Sequence, residues 1–260
     1  MTDSILIYAA LCLSAFLAGA INSIAGGGTL LTFPALLAVV SPVIANGTST
    51  IALVPGSLAG AWAYRRDVQH PPRLLWWLFA PSLVGGLIGT LLVTRTDEHY
   101  FTMAVPWLIL GASALFSLQP LVARMTKKKS SDSATEHTER QLGLLACAQF
   151  LIGIYGGYFG AGIGILMLSA LAYMGLRDVH EMNALKTILA VLMNGVAAIW
   201  FTLEGKVEWH YAFPMAVSSI AGGYIGARLS LRFKSPVVRR FVIAVGFTLA
   251  FYYFYKLYFK

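Results

Sequence analysis

The sequence predicts an all-α polytopic membrane protein made of two inverted-topology five-segment repeats, and three observations predict it. Hydrophobic residues fill 58% of the 260 positions and charged residues only 12%, more apolar surface than a soluble domain of this size could bury. The apolar residues fall in stretches of about 20, the length that crosses a bilayer as a helix, without the alternating ten-residue segments of a membrane barrel. The run Asn22-Ser-Ile-Ala-Gly-Gly-Gly-Thr29 returns in altered form, 134 residues on, as Gly156-Gly-Tyr-Phe-Gly-Ala-Gly-Ile163. Glycine costs about 1 kcal/mol against alanine inside a helix, so a glycine-rich break at matching points of two helical halves points to a purpose.

The first segment (5–25) has no basic residue ahead of its apolar run. It therefore reads as a retained helix, not a cleaved signal peptide, despite the small residues Ala18-Gly-Ala20. The second (30–43) rises only roughly 20 Å at 1.5 Å per residue, too little for a core of about 30 Å, and reads as a half-span, with full crossing and re-entry both open. The third (47–64), fourth (74–94) and fifth (100–122) are long enough to cross. Residues 124–140 are polar and charged with no apolar face and read as a linker. The sixth (141–159) and seventh (163–175) restate the first two, the seventh again being short. The eighth (183–203), ninth (209–231) and tenth (237–257) restate the third to fifth. The expected domains are a first repeat, 1–123, the linker, 124–140, and a second repeat, 141–260, with 8 to 10 membrane segments and broken or re-entrant helices.

The repeat holds at several anchors. Gly26-Gly-Gly28 aligns with Gly160-Ala-Gly162 at an offset of 134. After a three-residue difference in the next loop, Asn46 aligns with Asn183, and Gly85-Gly-x-x-Gly89 with Gly222-Gly-x-x-Gly226, at 137. The glycine pairs at 85/89 and 222/226 read as close helix contacts. Cys12 and Cys147, inside apolar segments, read as packing residues, with no disulfide or metal framework.

A net charge of +8 would suggest nucleic acid in a soluble protein. Here the cations sit in short loops and report topology instead. Fifteen of the 19 lysines and arginines fall in the third-to-fourth loop, the linker, the seventh-to-eighth region and the ninth-to-tenth region; the other four are Arg95, Lys206, Lys256 and Lys260. The positive-inside rule sets the linker in the cytoplasm and both termini outside. The third segment then runs inward and the eighth outward, which makes the halves inverted copies, a recurrent plan of secondary transporters with a site near the bilayer midplane. Trp76, Trp77, Trp107, Trp200 and Trp209 read mainly as interface anchors.

The helix N-termini at Gly28-Thr29 and Gly162-Ile163 would offer unpaired N–H groups and partial positive charge to an anion; close helix packing is the alternative use of those glycines. Asn46-Gly-Thr-Ser-Thr50 and Asn183-Ala-Leu-Lys-Thr187 open the third and eighth segments, with asparagines suited to N-caps and hydroxyls able to face a polar cavity. Lys186 is the one charge in the opening turn of an apolar segment, and it aligns with Ser49. It can neutralise an anion or snorkel to the surface. The 11 acids and five histidines sit in loops or at segment ends, unlike a buried cation or metal site, so no metal and no cofactor is expected. The expected substrate-binding set is Gly27, Gly28, Thr29, Asn46, Thr48 and Ser49 with Gly160, Ala161, Gly162, Asn183, Lys186 and Thr187. No catalytic residue is assigned.

The stretch Asn22-Ser-Ile-Ala-Gly-Gly-Gly-Thr-Leu-Leu-Thr-Phe-Pro34, with Ala45-Asn-Gly-Thr-Ser49, Gly160-Ala-Gly-Ile-Gly164 and Asn183-Ala-Leu-Lys186, resembles the sulfite exporter TauE/SafE family across essentially the whole chain. The resemblance implies an inner-membrane permease for small sulfur-containing or organic anions such as sulfite, sulfonates or related carboxylates. The expected partners are a small anionic substrate and membrane lipid, and not nucleic acid; oligomeric state, direction and coupling ion stay open. An anion channel is the nearest alternative. A membrane-embedded enzyme is a more distant one, because no nucleophile, acid–base pair or metal cluster is visible in the apolar segments.

Overall fold

The structure, a computed structural model, describes residues 2–24, 26–65, 72–129, 139–173, 176, 179–230 and 236–259. Among them are ten helices and no strand: α1 (Thr2–Ile24), α2 (Thr29–Leu36), α3 (Pro42–Ala63), α4 (Pro72–Arg95), α5 (Glu98–Lys129), α6 (Glu139–Tyr158), α7 (Ile163–Tyr173), α8 (Val179–Leu203), α9 (Trp209–Ser230) and α10 (Pro236–Tyr258). Ala25 of the glycine stretch, Arg66, Asp67, His70, linker residues 130–138, Arg177, Asp178, Arg232, Lys234 and Lys260 lie outside the described residues.

Four boundaries differ most from the sequence reading. The second segment stops at Leu36 and gives way to a turn, and α3 starts at Pro42, five residues early. Proline has no N–H to leave unsatisfied and a φ already set for a helix, so it suits a first position, here behind an extended Ser41. Helix α8 likewise starts at Val179, which puts Asn183 and Lys186 inside the helix; Asn46 is inside α3 for the same reason, so neither asparagine is an N-cap. The start of the linker continues α5 as far as Lys129.

Among the described residues five helices are long and apolar enough to cross a membrane: Ser4–Ile24, Trp76–Arg95, Glu98–Leu118, Glu181–Leu203 and Arg240–Tyr258. Their outer surfaces are apolar, with Leu6, Trp76, Trp107, Ile199 and Phe251 exposed, as a lipid-facing surface requires. Cys147, on α6, is exposed, contrary to its reading as a packing residue. The short helix α2 is different: Leu30, Thr32, Phe33, Pro34 and Leu36 are all buried, and Phe33 meets Phe159 edge-on at 5.1 Å. A helix apolar on all sides belongs inside.

The packing partners cross between the halves. Helix α1 packs on α9 and α6 on α4; α3 packs on α9 and α8 on α4; α2 meets α10 and α7 meets α5; α3 pairs with α8 and α5 with α10. Exchanging α1–α5 with α6–α10 returns the same set of pairs. The glycine pairs make the closest of these contacts. A Cβ at Gly222 would strike the backbone of Phe16, and one at Gly226 the backbone of Ala20. One at Gly85 would strike Phe150 and one at Gly89 would strike Ile154, and Phe150 and Ile154 are Phe16 and Ala20 moved on by 134. Small residues let backbones approach where lipid offers no hydrophobic drive between helices.

Candidate functional site

Both glycine breaks start the same way. The N–H of Gly26 reaches back to the carbonyl of Ile21 at 3.0 Å, and that of Gly160 to Tyr155 at 3.2 Å, with φ of +77° and +79° at the two glycines. That left-handed backbone is open to glycine at no steric cost, so each break ends one helix and aims the next. The two breaks then meet. A Cβ at Gly26 would lie 2.7 Å from the Cα of Gly164, and one at Gly160 3.9 Å from both Thr29 Oγ1 and Asn194 Oδ1.

Where they meet lies a cavity of about 30 Å³, room for roughly two water-sized groups. Thr50, Leu53 and Ser57 line it from α3, and Thr187, Ala190 and Asn194 from α8. Each α3 residue plus 137 gives its α8 counterpart. The spacing is the helical one, three or four residues per turn, so one face of each helix is presented. Thr50 and Thr187 donate to the carbonyls of Asn46 and Asn183 four residues earlier, at 2.9 and 2.6 Å, which leaves their oxygens to accept. Asn22 Oδ1 accepts from the Gly28 N–H at 2.7 Å, leaving the Asn22 amide Nδ2 to donate.

Lys186 completes the lining. It is 1% exposed, which excludes snorkelling. Its Nζ donates to the carbonyls of Asn22 at 3.0 Å and Ser23 at 3.4 Å and to Asn183 Oδ1 at 3.0 Å. All three acceptors are neutral, and among the described residues no carboxylate pairs with it. Burying an ammonium costs several kcal/mol unless charge compensates it. Here the C-terminal carbonyls of the broken α1 supply only the partial negative charge of a helix end.

Of the expected set, Gly27, Thr29, Gly160, Lys186 and Thr187 line the cavity. The others surround it. Gly28 is a packing position, since a Cβ there would strike the backbone of Ala18. Thr48 is turned away and accepts from the Glu208 N–H at 2.9 Å. Ser49 shares a 2.6 Å hydrogen bond with Thr32, Ala161 accepts from Tyr155 Oη at 2.7 Å, and Gly162 faces Ala112. Asn46 donates to the Tyr158 carbonyl at 2.9 Å, and Asn183 holds Lys186. Thr50, Ser57 and Asn194 line the cavity although the expected set leaves them out. The repeat offset combined with helical spacing from Thr187 would have found all three.

Apolar membrane-length helices around a small polar cavity, closed by two broken helices, define an integral membrane protein of the transporter class. The chain belongs to the Sulfite exporter TauE/SafE family, which it matches over residues 11–253. It is 29% identical over 234 residues, 89% of its own length and 88% of the relative's, to a Haemophilus influenzae protein named a probable membrane transporter protein. Over 241 residues it is 31% identical to Escherichia coli K12 YfcA, of the same description, covering 89% of this chain and 84% of that one. Bacillus subtilis YunE, also so named, is 21% identical over 242 residues, 85% of this chain and 88% of that one. No solved structure matches the chain.

Proposed function

We propose that the protein is a secondary carrier of small anions, with sulfite, sulfonates and related small carboxylates as the substrate class, bound at the meeting point of the two broken helices. The observation that carries this reading is Lys186: a buried positive charge on a polar cavity, held by neutral oxygens alone, is completed by an anion. Hydroxyls of Thr29 and Ser57 and the amides of Asn22 and Asn194 are available donors of the kind an oxyanion accepts. The cavity volume of about 30 Å³ supports a substrate of a few heavy atoms and speaks against sugars or nucleotides. The family description and the relatives' transporter names support transport over catalysis.

The two halves, 1–123 and 141–260 joined by 124–140, act as inverted repeats in a bacterial inner membrane, with the linker cytoplasmic and both termini outside. The crossed packing pairs and the recurrence of the same glycine contacts support this arrangement, which suits alternate opening of the site to the two faces. Counterflow in proteoliposomes tests the carrier reading against a channel. Unlabelled sulfite, sulfonate or carboxylate inside the vesicles should accelerate saturable uptake of its labelled form. Flux linear in concentration, with no acceleration, would favour a channel and sink the carrier.

A further inference from the structure

Asn46 carries the one buried side-chain oxygen or nitrogen that, among the described residues, has no hydrogen-bond partner: its Oδ1. The residue is 1% exposed. Its Nδ2 donates to the Tyr158 carbonyl at 2.9 Å, which fixes the orientation of the amide, because a flip would set two oxygens against each other. A buried acceptor left unmatched loses its water partners without replacement and so weighs against the fold. Oδ1 can only accept, so its complement is a donor or a cation.

The other half displays that complement. At the offset of 137, Asn46 corresponds to Asn183 and Ser49 to Lys186. Asn183 Oδ1 receives the Lys186 ammonium, which also meets the last carbonyls of the broken α1. In the first half the matching asparagine stands against the last carbonyl of the broken α6, but a serine takes the lysine's place, its Oγ 2.6 Å from Thr32 Oγ1. One half therefore sets a positive charge between an asparagine oxygen and a helix end. The other presents an unmatched asparagine oxygen and no charge, its helix end meeting the asparagine's own Nδ2.

We propose that the first half binds a sodium ion at Asn46 Oδ1, with the hydroxyls of Ser49 and Thr32 and the carbonyl end of α6 as further oxygen donors. Helix C-terminal ends carry partial negative charge, and broken-helix carbonyls are a recurrent Na⁺ environment in carriers. The donors are all neutral, which suits a monovalent ion; divalent ions draw on carboxylates, and among the described residues no three His, Cys, Asp or Glu side chains stand together. The site touches the anion cavity through α3, where Thr50 lines the cavity and donates to the Asn46 carbonyl. Its role as the coupling site rests on the carrier reading, whereas the ion binding does not.

The test uses the full chain in detergent, with sodium chloride replacing choline chloride at constant ionic strength. Wild-type protein should show a saturable rise in melting temperature and saturable ²²Na⁺ binding, neither of which potassium reproduces. Asn46→Ala should lose both. Asn46→Asp, nearly isosteric and carrying a charge, should lower the half-saturating sodium concentration at least tenfold, and it answers the question even where Asn46→Ala fails to fold. Ser49→Lys, which recreates the second half's arrangement, should make a folded protein indifferent to sodium. Equal effects of sodium, potassium and choline would mean that Oδ1 holds only water and would overturn the proposal, as would sodium binding unchanged in Asn46→Asp. Sulfite, sulfonate and carboxylate binding measured in sodium and again in choline keeps the two readings apart. Sodium binding without anion binding would sink the anion carrier alone, and anion exchange indifferent to sodium would sink the coupling site alone.

Discussion

Lys186 is where a single residue separates folding from function. An ammonium buried among neutral oxygens is a cost to the fold, and replacing buried charge with an apolar group of similar volume is often neutral or stabilising by about 1 to 4 kcal/mol. Lys186→Met should therefore leave the melting temperature in detergent unchanged or raised while abolishing anion binding, a combination that a purely structural lysine would not give. Lys186→Gln should weaken binding by about 1 to 3 kcal/mol, the range for a hydrogen bond to a charged group. Lys186→Arg should be only partly tolerated, because the wider guanidinium needs room that a cavity of about 30 Å³ does not offer. Lys256→Gln, at an exposed position, is the control and should be silent in affinity. Loss of folding in both Lys186→Met and Lys186→Gln would assign the residue to structure. The sequence marked Lys186 as a candidate because a lone charge in an apolar run is conspicuous. It did not mark Asn46 Oδ1, since an asparagine near a helix start looks the same whether it caps the helix or stands buried a full turn inside it. Thr48 and Ser49 were chosen as neighbours in sequence, yet the helix turns about 100° per residue, so Thr50 faces the cavity while Thr48 faces the loop at Glu208.

At the scale of elements, the glycines divide into two kinds with different expected effects. Gly28 and Gly226 leave no room for a Cβ against neighbouring backbone, and backbone cannot move aside as a flexible side chain can. Gly28→Ala should cost about 1 to 3 kcal/mol of stability, the usual range for overpacking, read as a fall in melting temperature and folded yield. Gly89→Ala and Gly226→Ala should fall by similar amounts, because they sit at matching contacts, α4 on α6 and α9 on α1. Gly195 in α8 has nothing within 4 Å of a Cβ, so Gly195→Ala should be neutral or stabilising by up to about 1 kcal/mol. Comparable losses at Gly195 and Gly226 would refute the reading of 222/226 and 85/89 as helix contacts. The cores of the helices were legible from hydropathy alone, with α9 and α10 placed within a residue at each end. The entry into α3 was not, because an apolar run from 30 to 43 carries no sign of where one helix stops and another starts. The sign that mattered was Pro42, whose missing N–H marks a first turn as readily as it marks a break.

At the scale of the whole molecule, the two halves are related by two separate measures, a sequence offset of 134 changing to 137 and a set of packing pairs that survives exchange of the halves. The offset was readable from the chain. The crossing of partners was not, since nothing in a sequence says that α1 should pack on α9 instead of α4. Neither measure says which way the molecule sits in the bilayer; that comes from the cations. Leaving aside Lys186, which is buried at the site, 14 of the 19 lysines and arginines fall in loops or at helix ends that one threading places on a single side, and cytoplasmic loops carry such an excess. If the linker and the two termini lie on opposite faces, each half crosses an odd number of times and the halves are inverted copies. With Cys12 and Cys147 replaced, single cysteines introduced near Ser131 in the linker and near Lys206 between α8 and α9 should label from opposite sides of sealed cells. The linker site should react only with a membrane-permeant maleimide and the Lys206 site with an impermeant one as well. Labelling of both by the impermeant reagent in intact cells would place the two loops on one face, making the halves parallel copies, and the site at Gly26 and Gly160 could no longer open to the two faces by exchanging the roles of α1–α5 and α6–α10.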